Sequence, residues 1–148
     1  SSQIDEPDYG FILDDMLIPD GARIPHERFC RPRVEIELAF VLGQQLKGPG
    51  LTIIDVLRAT EYVVPAIEIV DARIQEPRKI FDTVADNGAA AAIVIGGRPI
   101  KPMDHDLRWI GGIMYRNSEI EETGIAAGVL GHPALGVCWL ANKLGAHD

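Results

Sequence analysis

Cysteine is nearly absent from this chain. Cys30 and Cys138 are the two in 148 residues, and they lie far apart in apolar surroundings. They make neither a metal motif nor a disulfide framework, so a reducing cytoplasm is the expected location. Basic charge is also short, with 14 Lys and Arg against 22 Asp and Glu and a formal net charge of −8. That balance argues against nucleic acid or an anionic membrane surface as the main partner. It leaves an anionic substrate open, because a divalent cation held by carboxylates inverts the local charge. No stretch approaches a run of about eighteen apolar residues, so no membrane span is expected. The first residues, SSQIDEPDYG, are polar and acidic and do not read as a signal peptide. The Gly96-Gly97 pair lacks the rest of a dinucleotide-binding G-x-G-x-x-G. No Ser-His-Asp or Cys-His arrangement is legible.

What is present is an ordinary globular composition, 47% hydrophobic and 24% charged, long enough for one domain with a core. Residues 1–32 read as loop and short turns packed by Phe11, Ile12, Leu13, Met16 and Leu17. Residues 34–42 alternate as a strand, with Val34, Ile36, Leu38, Phe40 and Leu42 facing a core. Residues 52–61 read as a helix with Thr52 as N-cap and Asp55 completing a capping box. A strand over 62–70, a charged loop over 71–80, a short helix over 81–90 and a strand over 91–97 follow. Residues 107–116 and 119–123 suggest a hairpin turning at Asn117-Ser118. Residues 133–144 form the clearest helix, with Pro133 in its first turn and Gly145 just beyond its end. The mixed order, richer in strand than helix, predicts the α+β class.

The polar members of the first long strand are two glutamates, Glu35 and Glu37. Residues two apart on a strand project to the same side, about 7 Å apart at the backbone. From this pair alone a solvated strand face is the commoner arrangement. Glu68 changes the balance, because it lies in VVPAIEIV among apolar neighbours, where an ionised carboxylate needs a partner. A cation shared by Glu35, Glu37 and Glu68 satisfies that need. With no His or Cys nearby, the donors are hard oxygens suited to Mg²⁺ or Mn²⁺. The alternative is a set of ion pairs from Glu68 to Arg33, Arg73 or Arg78. Asp71 is a further acidic candidate that needs a bend in the strand to join Glu68.

EPDYGFILDDM, RVEIELAFVL, PAIEIVDARI, KIFDTVADN, IGGRPIKP, DLRWIGGIMYRN and EETGIAAGVLGHPALGVCWLANKL resemble successive blocks of the 2-oxo-hept-4-ene-1,7-dioate hydratases. These belong to the wider 2-keto-4-pentenoate hydratase and fumarylacetoacetase-like group. The resemblance implies a mixed β-barrel-like core with flanking helices, of the fumarylacetoacetase C-terminal-domain type. It implies Glu35, Glu37 and Glu68 as metal ligands, with Asp8 and Lys79 as the catalytic residues. The implied activity is metal-dependent hydration of a 2-oxo-heptenedioate, or its 2-hydroxydienoate tautomer, in meta-cleavage degradation of aromatic compounds by the homoprotocatechuate route. The partners are then a small 2-oxo dicarboxylate and further copies of the chain, with no nucleic acid or membrane. The alternatives are a 4-oxalocrotonate-type decarboxylase and an inactive metal-binding fragment.

Members of the group are longer at both ends and carry a longer loop where this chain has 73–78, so residues 1–148 read as the central portion of one catalytic domain. Thr83 and Asn87 are weaker polar candidates; Asn87 can equally cap or close a turn. His26, His105 and His147 read as solvated, and His132, just before Pro133, as a structural residue at the helix start. Trp109 and Trp139 read as core.

Overall fold

The computed structural model of the chain describes residues 6–147, which fold as two compact units. One comprises residues up to Glu37 together with Ala66–Gly97, and the other Leu38–Pro65 with residues from Arg98 onward. Helices and strands follow in mixed order, with antiparallel β3–β4 and β5–β6 pairs, as the α+β reading anticipates. The strands of the main sheet are β1 (Leu17–Ile18), β2 (Pro32–Leu42), β3 (Thr60–Asp71) and β4 (Ala90–Ile95), in the order β1-β4-β3-β2. The sheet is open at β1 and β2, so the described residues form no closed barrel.

In the first unit, β1 runs parallel to β4 with Ile18 opposite Val94, and β4 runs antiparallel to β3 with Ile93 opposite Glu68. Ile18, Ile69 and Ala92 form its small core, with Ile24, Phe29 and Val94 packed against them. The expected packing of residues 11–17 is not found. Phe11, Ile12, Leu13 and Leu17 are exposed, and Ile18, the inward member of a two-residue strand, makes the anchor instead. Val34 and Ile36 are also exposed rather than turned into a core, because β2 is the sheet edge. Helix α2 is shorter than expected, Ile80–Ala85, because Asn87, Gly88 and Ala89 all take positive φ and the chain breaks into a short 3₁₀ turn.

The second unit is built on Val56, Ala134 and Cys138, which bring helices α1 (Ile53–Ala59) and α3 (Pro133–Gly145) together. Phe40, Leu46, Leu51, Ile53, Leu57 and Val137 surround them. The capping box at Thr52 and Asp55 forms as the sequence predicts. Helix α1 ends at Ala59 and Thr60 opens β3 directly, so the helix is shorter than the spacing suggests. Asn142 on α3 accepts from the Leu51 N–H at 2.8 Å and donates to the Leu51 carbonyl at 2.9 Å, tying the helix to the loop before α1.

The hairpin consists of β5 (Gly111–Arg116) and β6 (Glu119–Ile125), with Asn117 and Ser118 both left-handed, as a two-residue primed turn requires. Residues 107–109, expected to begin its first strand, form a 3₁₀ turn instead. The register puts Ile113, Tyr115, Ile120 and Ile125 on one face, and all four are exposed. Trp109, expected in the core, is 72% exposed; the buried residue of its turn is Leu107.

Candidate metal centre

The predicted carboxylates all fall in the first unit. Glu35 and Glu37 are separated by one residue on β2, so the strand's alternation sends them to the same side. Glu68 lies on β3, the strand adjacent to β2 in the sheet. Its neighbour Ile69 belongs to the small core, so Glu68 projects to the opposite face.

Glu68 is half-buried, and its carboxyl is pushed above the ordinary value, first by burial and then by the charges of Glu35, Glu37 and Asp8. Glu37 is raised as well, by burial and then by Glu35. Glu37 is exposed by surface area, but enough protein surrounds its carboxylate for desolvation to lead. These shifts define one acidic group: Glu35, Glu37 and Asp8 all act on Glu68.

No arginine or lysine among the described residues pairs with Glu35, Glu37 or Glu68. Two of the three named partners are committed elsewhere, Arg73 to Asp86 at 3.0 Å and Arg78 to Glu76 at 3.6 Å. Nor do any three His, Cys, Asp or Glu groups among the described residues converge as a ready-made metal cage. Like charges without a cation between them repel and hold apart. The donor set nevertheless fits a hard dication. It is all carboxylate, it is partly desolvated, and a positive charge would relieve its mutual repulsion.

Asp8 is exposed, on the segment that leads to Gly10 and Phe11. That segment is fastened by Asn87, whose Oδ1 accepts from the Phe11 N–H at 2.7 Å and whose Nδ2 donates to the Phe11 carbonyl at 2.8 Å. Gly10 is required there: a Cβ would stand 2.6 Å from Asn87 Oδ1 and 2.7 Å from its carbonyl oxygen. Asn87 is in turn backed by Arg73, which binds the carboxylate and carbonyl of Asp86 and the carbonyl of Ala90. The polar candidate Asn87 therefore has a definite place, as the fastener of the Asp8 segment. Asn87-Gly88 is a common turn dipeptide, which was the available signal. Thr83 lies within α2.

Lys79 immediately precedes α2, and its N–H is accepted by Asp82 at 2.7 Å. The side chain is exposed and is not among the charges acting on Glu68. Asp71 does not join the acidic group. It is buried and accepts from the backbone N–H of Cys30 at 3.0 Å and of Arg31 at 2.6 Å. It thereby holds the turn that launches β2, and through it the approach to Glu35. His132 is the N-cap of α3, its Nδ1 accepting from the Ala134 N–H at 3.1 Å, as expected of a structural residue. Among the described residues no helix is long and apolar enough to cross a membrane.

No protein-family profile matches the chain. Among curated proteins it is similar to the 2-oxo-hept-4-ene-1,7-dioate hydratase of Escherichia coli, 60% identical over 155 aligned positions that cover 100% of this chain and 58% of that protein. The aligned span exceeds the length of the chain, so that relative carries residues within it that this chain lacks. The 2-hydroxypent-2,4-dienoate hydratase of Pseudomonas putida is 43% identical over 96% of this chain and 65% of its own length. The 4-oxalocrotonate decarboxylase of Pseudomonas sp. (strain CF600) is 39% identical over 95% of this chain and 54% of its own length. Among solved structures, the 4-oxalocrotonate decarboxylase from Pseudomonas putida G7, complexed with magnesium and adipate, matches with a TM-score of 0.93 and 36% identity. That match covers 98% of this chain and 56% of the other. The chain thus spans between about half and two thirds of the length of these relatives.

Proposed function

We propose that the chain belongs with the 2-hydroxydienoate hydratases and 4-oxalocrotonate decarboxylases it resembles, and that it serves as the metal-binding part of a hydro-lyase acting on a 2-oxo-heptenedioate. The observation that carries this reading is the half-buried Glu68, on which the charges of Glu35, Glu37 and Asp8 act, with no ion pair to a lysine or arginine among the described residues. Glu35, Glu37 and Glu68 would hold Mg²⁺, or Mn²⁺ in its place. When bound, such an ion supplies Lewis-acid stabilisation of negative charge on the oxygens of a 2-oxo acid.

The chain's own residues do the rest. Asp8, on a segment that Asn87 fixes, is placed beside the acidic group and is the proton-transfer residue for tautomerisation and for water addition at C4. Lys79, which makes no side-chain ion pair among the described residues, is the candidate to neutralise a substrate carboxylate or enolate. The proposal includes one catalytic domain working as a homo-oligomer in the cytoplasm, on products of aromatic meta-cleavage by the homoprotocatechuate route.

Decarboxylation of a vinylogous 2-oxo acid is the second reading, favoured by the structural match to a decarboxylase. A thermal-shift titration with Mg²⁺ and Mn²⁺, with and without oxalate as a mimic of the 2-oxo acid end, tests the site. A metal-dependent rise that oxalate enlarges is the expected result. No rise with either metal sinks the ligand assignment. With substrate, a hydrated product supports the first reading and released CO₂ the second.

A further inference from the structure

The second unit contains a cleft of about 470 Å³ that the metal chemistry does not use. Its walls are Leu38, Val63, Val64, Pro65, Ile100 and Ile110, and its volume falls in the range of small-molecule sites. The floor is well fixed: Val63 and Ile100 exchange two backbone hydrogen bonds of 2.9 Å, and Val63 and Val64 are buried. Four residues with polar or aromatic heads stand around it: Arg98, His105, Asp106 and Trp109.

Their commitments differ. Asp106 caps the 3₁₀ turn at residues 107–109, and both its oxygens are engaged by the Arg108 guanidinium, at 2.8 and 2.6 Å. That pair holds the Asp106 carboxyl down at about 2, so its charge is permanent and locally neutralised. Arg98 has no ion pair or hydrogen bond among the described residues, and the Trp109 indole is 72% exposed. An apolar cleft with one uncommitted guanidinium and an open indole is complementary to a single negative charge on an apolar body.

We propose that this cleft binds a monocarboxylate with a ring-sized apolar tail, with Arg98 on the carboxylate, the tail against Val64, Ile100 and Ile110, and Trp109 covering it. The proposal stands apart from the metal site, and its test uses no metal.

The experiment is ¹H–¹⁵N NMR of the full chain in EDTA at pH 7.5, titrated with 4-phenylbutyrate and, separately, with the neutral 4-phenylbutyramide. The Trp109 indole signal is assigned with Trp109→Phe. For a ligand of this size we expect saturable movement of the Trp109 indole, with a dissociation constant on the order of 1 mM. The amide should bind about tenfold more weakly, and Arg98→Gln should weaken the acid by about tenfold while leaving the amide unchanged. Arg98→Lys, which keeps the charge, should lie between. Arg98 is exposed and without a partner among the described residues, so these variants should keep the parent spectrum elsewhere.

Equal binding of acid and amide overturns the proposal, as does an Arg98→Gln variant that binds the acid like the parent. So does the absence of saturable Trp109 movement up to about 10 mM. A Trp109 signal that shifts with protein concentration alone also overturns it, because a second copy of the chain would then be the occupant.

Discussion

The two units differ in how their most constrained carboxylates are met. In the unit carrying α1 and α3, charges close short local bonds: Asp55 on Thr52, Asp106 on Arg108, Glu121 on Arg116. In the unit carrying Glu35 and Glu68, one strand holds both extremes three residues apart. Asp71 is buried and fully used, fixing two backbone N–H groups, while Glu68 is half-buried and met by other carboxylates. A desolvated carboxylate stabilises a fold when donors surround it and strains it when acids do. The strained one marks the place where something positive belongs.

Asp71→Ala should show the largest effect. It orphans the N–H groups of Cys30 and Arg31, costing about 3 kcal/mol in urea unfolding. Asp71→Asn, which keeps one acceptor, should lose less. If both variants match the parent, the contrast between Asp71 and Glu68 collapses.

Next comes the metal. At a hundred times its dissociation constant, Mg²⁺ should add about 2.7 kcal/mol to the parent. Glu35→Ala and Glu68→Ala should each abolish that gain and any metal-dependent activity, while folding without metal is retained. A variant that keeps the full gain removes its residue from the ligand set.

Acid should act with opposite sign on the two units. The folded Glu68 carboxyl holds its proton above 4.5, where the unfolded chain has released it. Raising pH above 4.5 therefore costs the metal-free fold stability until Glu68 itself ionises. Glu68→Gln should be more stable than the parent at neutral pH without metal, and the difference should vanish below about pH 4.

His132 behaves the other way. Burial, and then the Arg108 charge, lower it from 6.5 against a smaller opposing pull from Asp106. As pH falls below 6.5 the unfolded chain takes the proton first, so stability falls. Protonation also removes the lone pair that caps α3. His132→Asn, a cap that does not titrate, should flatten this acid slope in a pH series of urea midpoints. A slope unchanged in that variant would place the acid sensitivity elsewhere.

The smallest effect belongs to Arg116→Ala. Its pair with Glu121 is open to solvent, and the loss should stay within about 0.5 kcal/mol in urea unfolding.

Local chemistry was legible in the sequence. The Thr52–Asp55 box, the Asn117-Ser118 turn, His132 before Pro133 and the Glu-x-Glu alternation each depend on residues within a few positions. Depth was not legible. Phe11, Leu13, Val34 and Trp109 are apolar and exposed, because side-chain type does not say which layer covers a residue. Helix α1 was read too long because Thr60 begins β3 with no Gly or Pro between them. Asp71 looked like a spare ligand because its partners lie 40 and 41 residues away. The barrel-like core is implied by family resemblance alone, and the described strands form an open sheet.

The Phe11–Asn87 fastening has a consequence for the order of synthesis. Its two partners are 76 residues apart, so nothing can hold the Asp8 segment until Asn87 has left the ribosome. By then residues 38–65 are already outside, yet their own tie, Leu51 to Asn142, spans 91 residues and is still unmade. The nascent chain must therefore carry the first part of the second unit, unfastened, while the first unit gains its own tie. Long-range closures of this kind slow folding and leave apolar surface open while they wait. The acidic group can assemble before the cleft unit is finished.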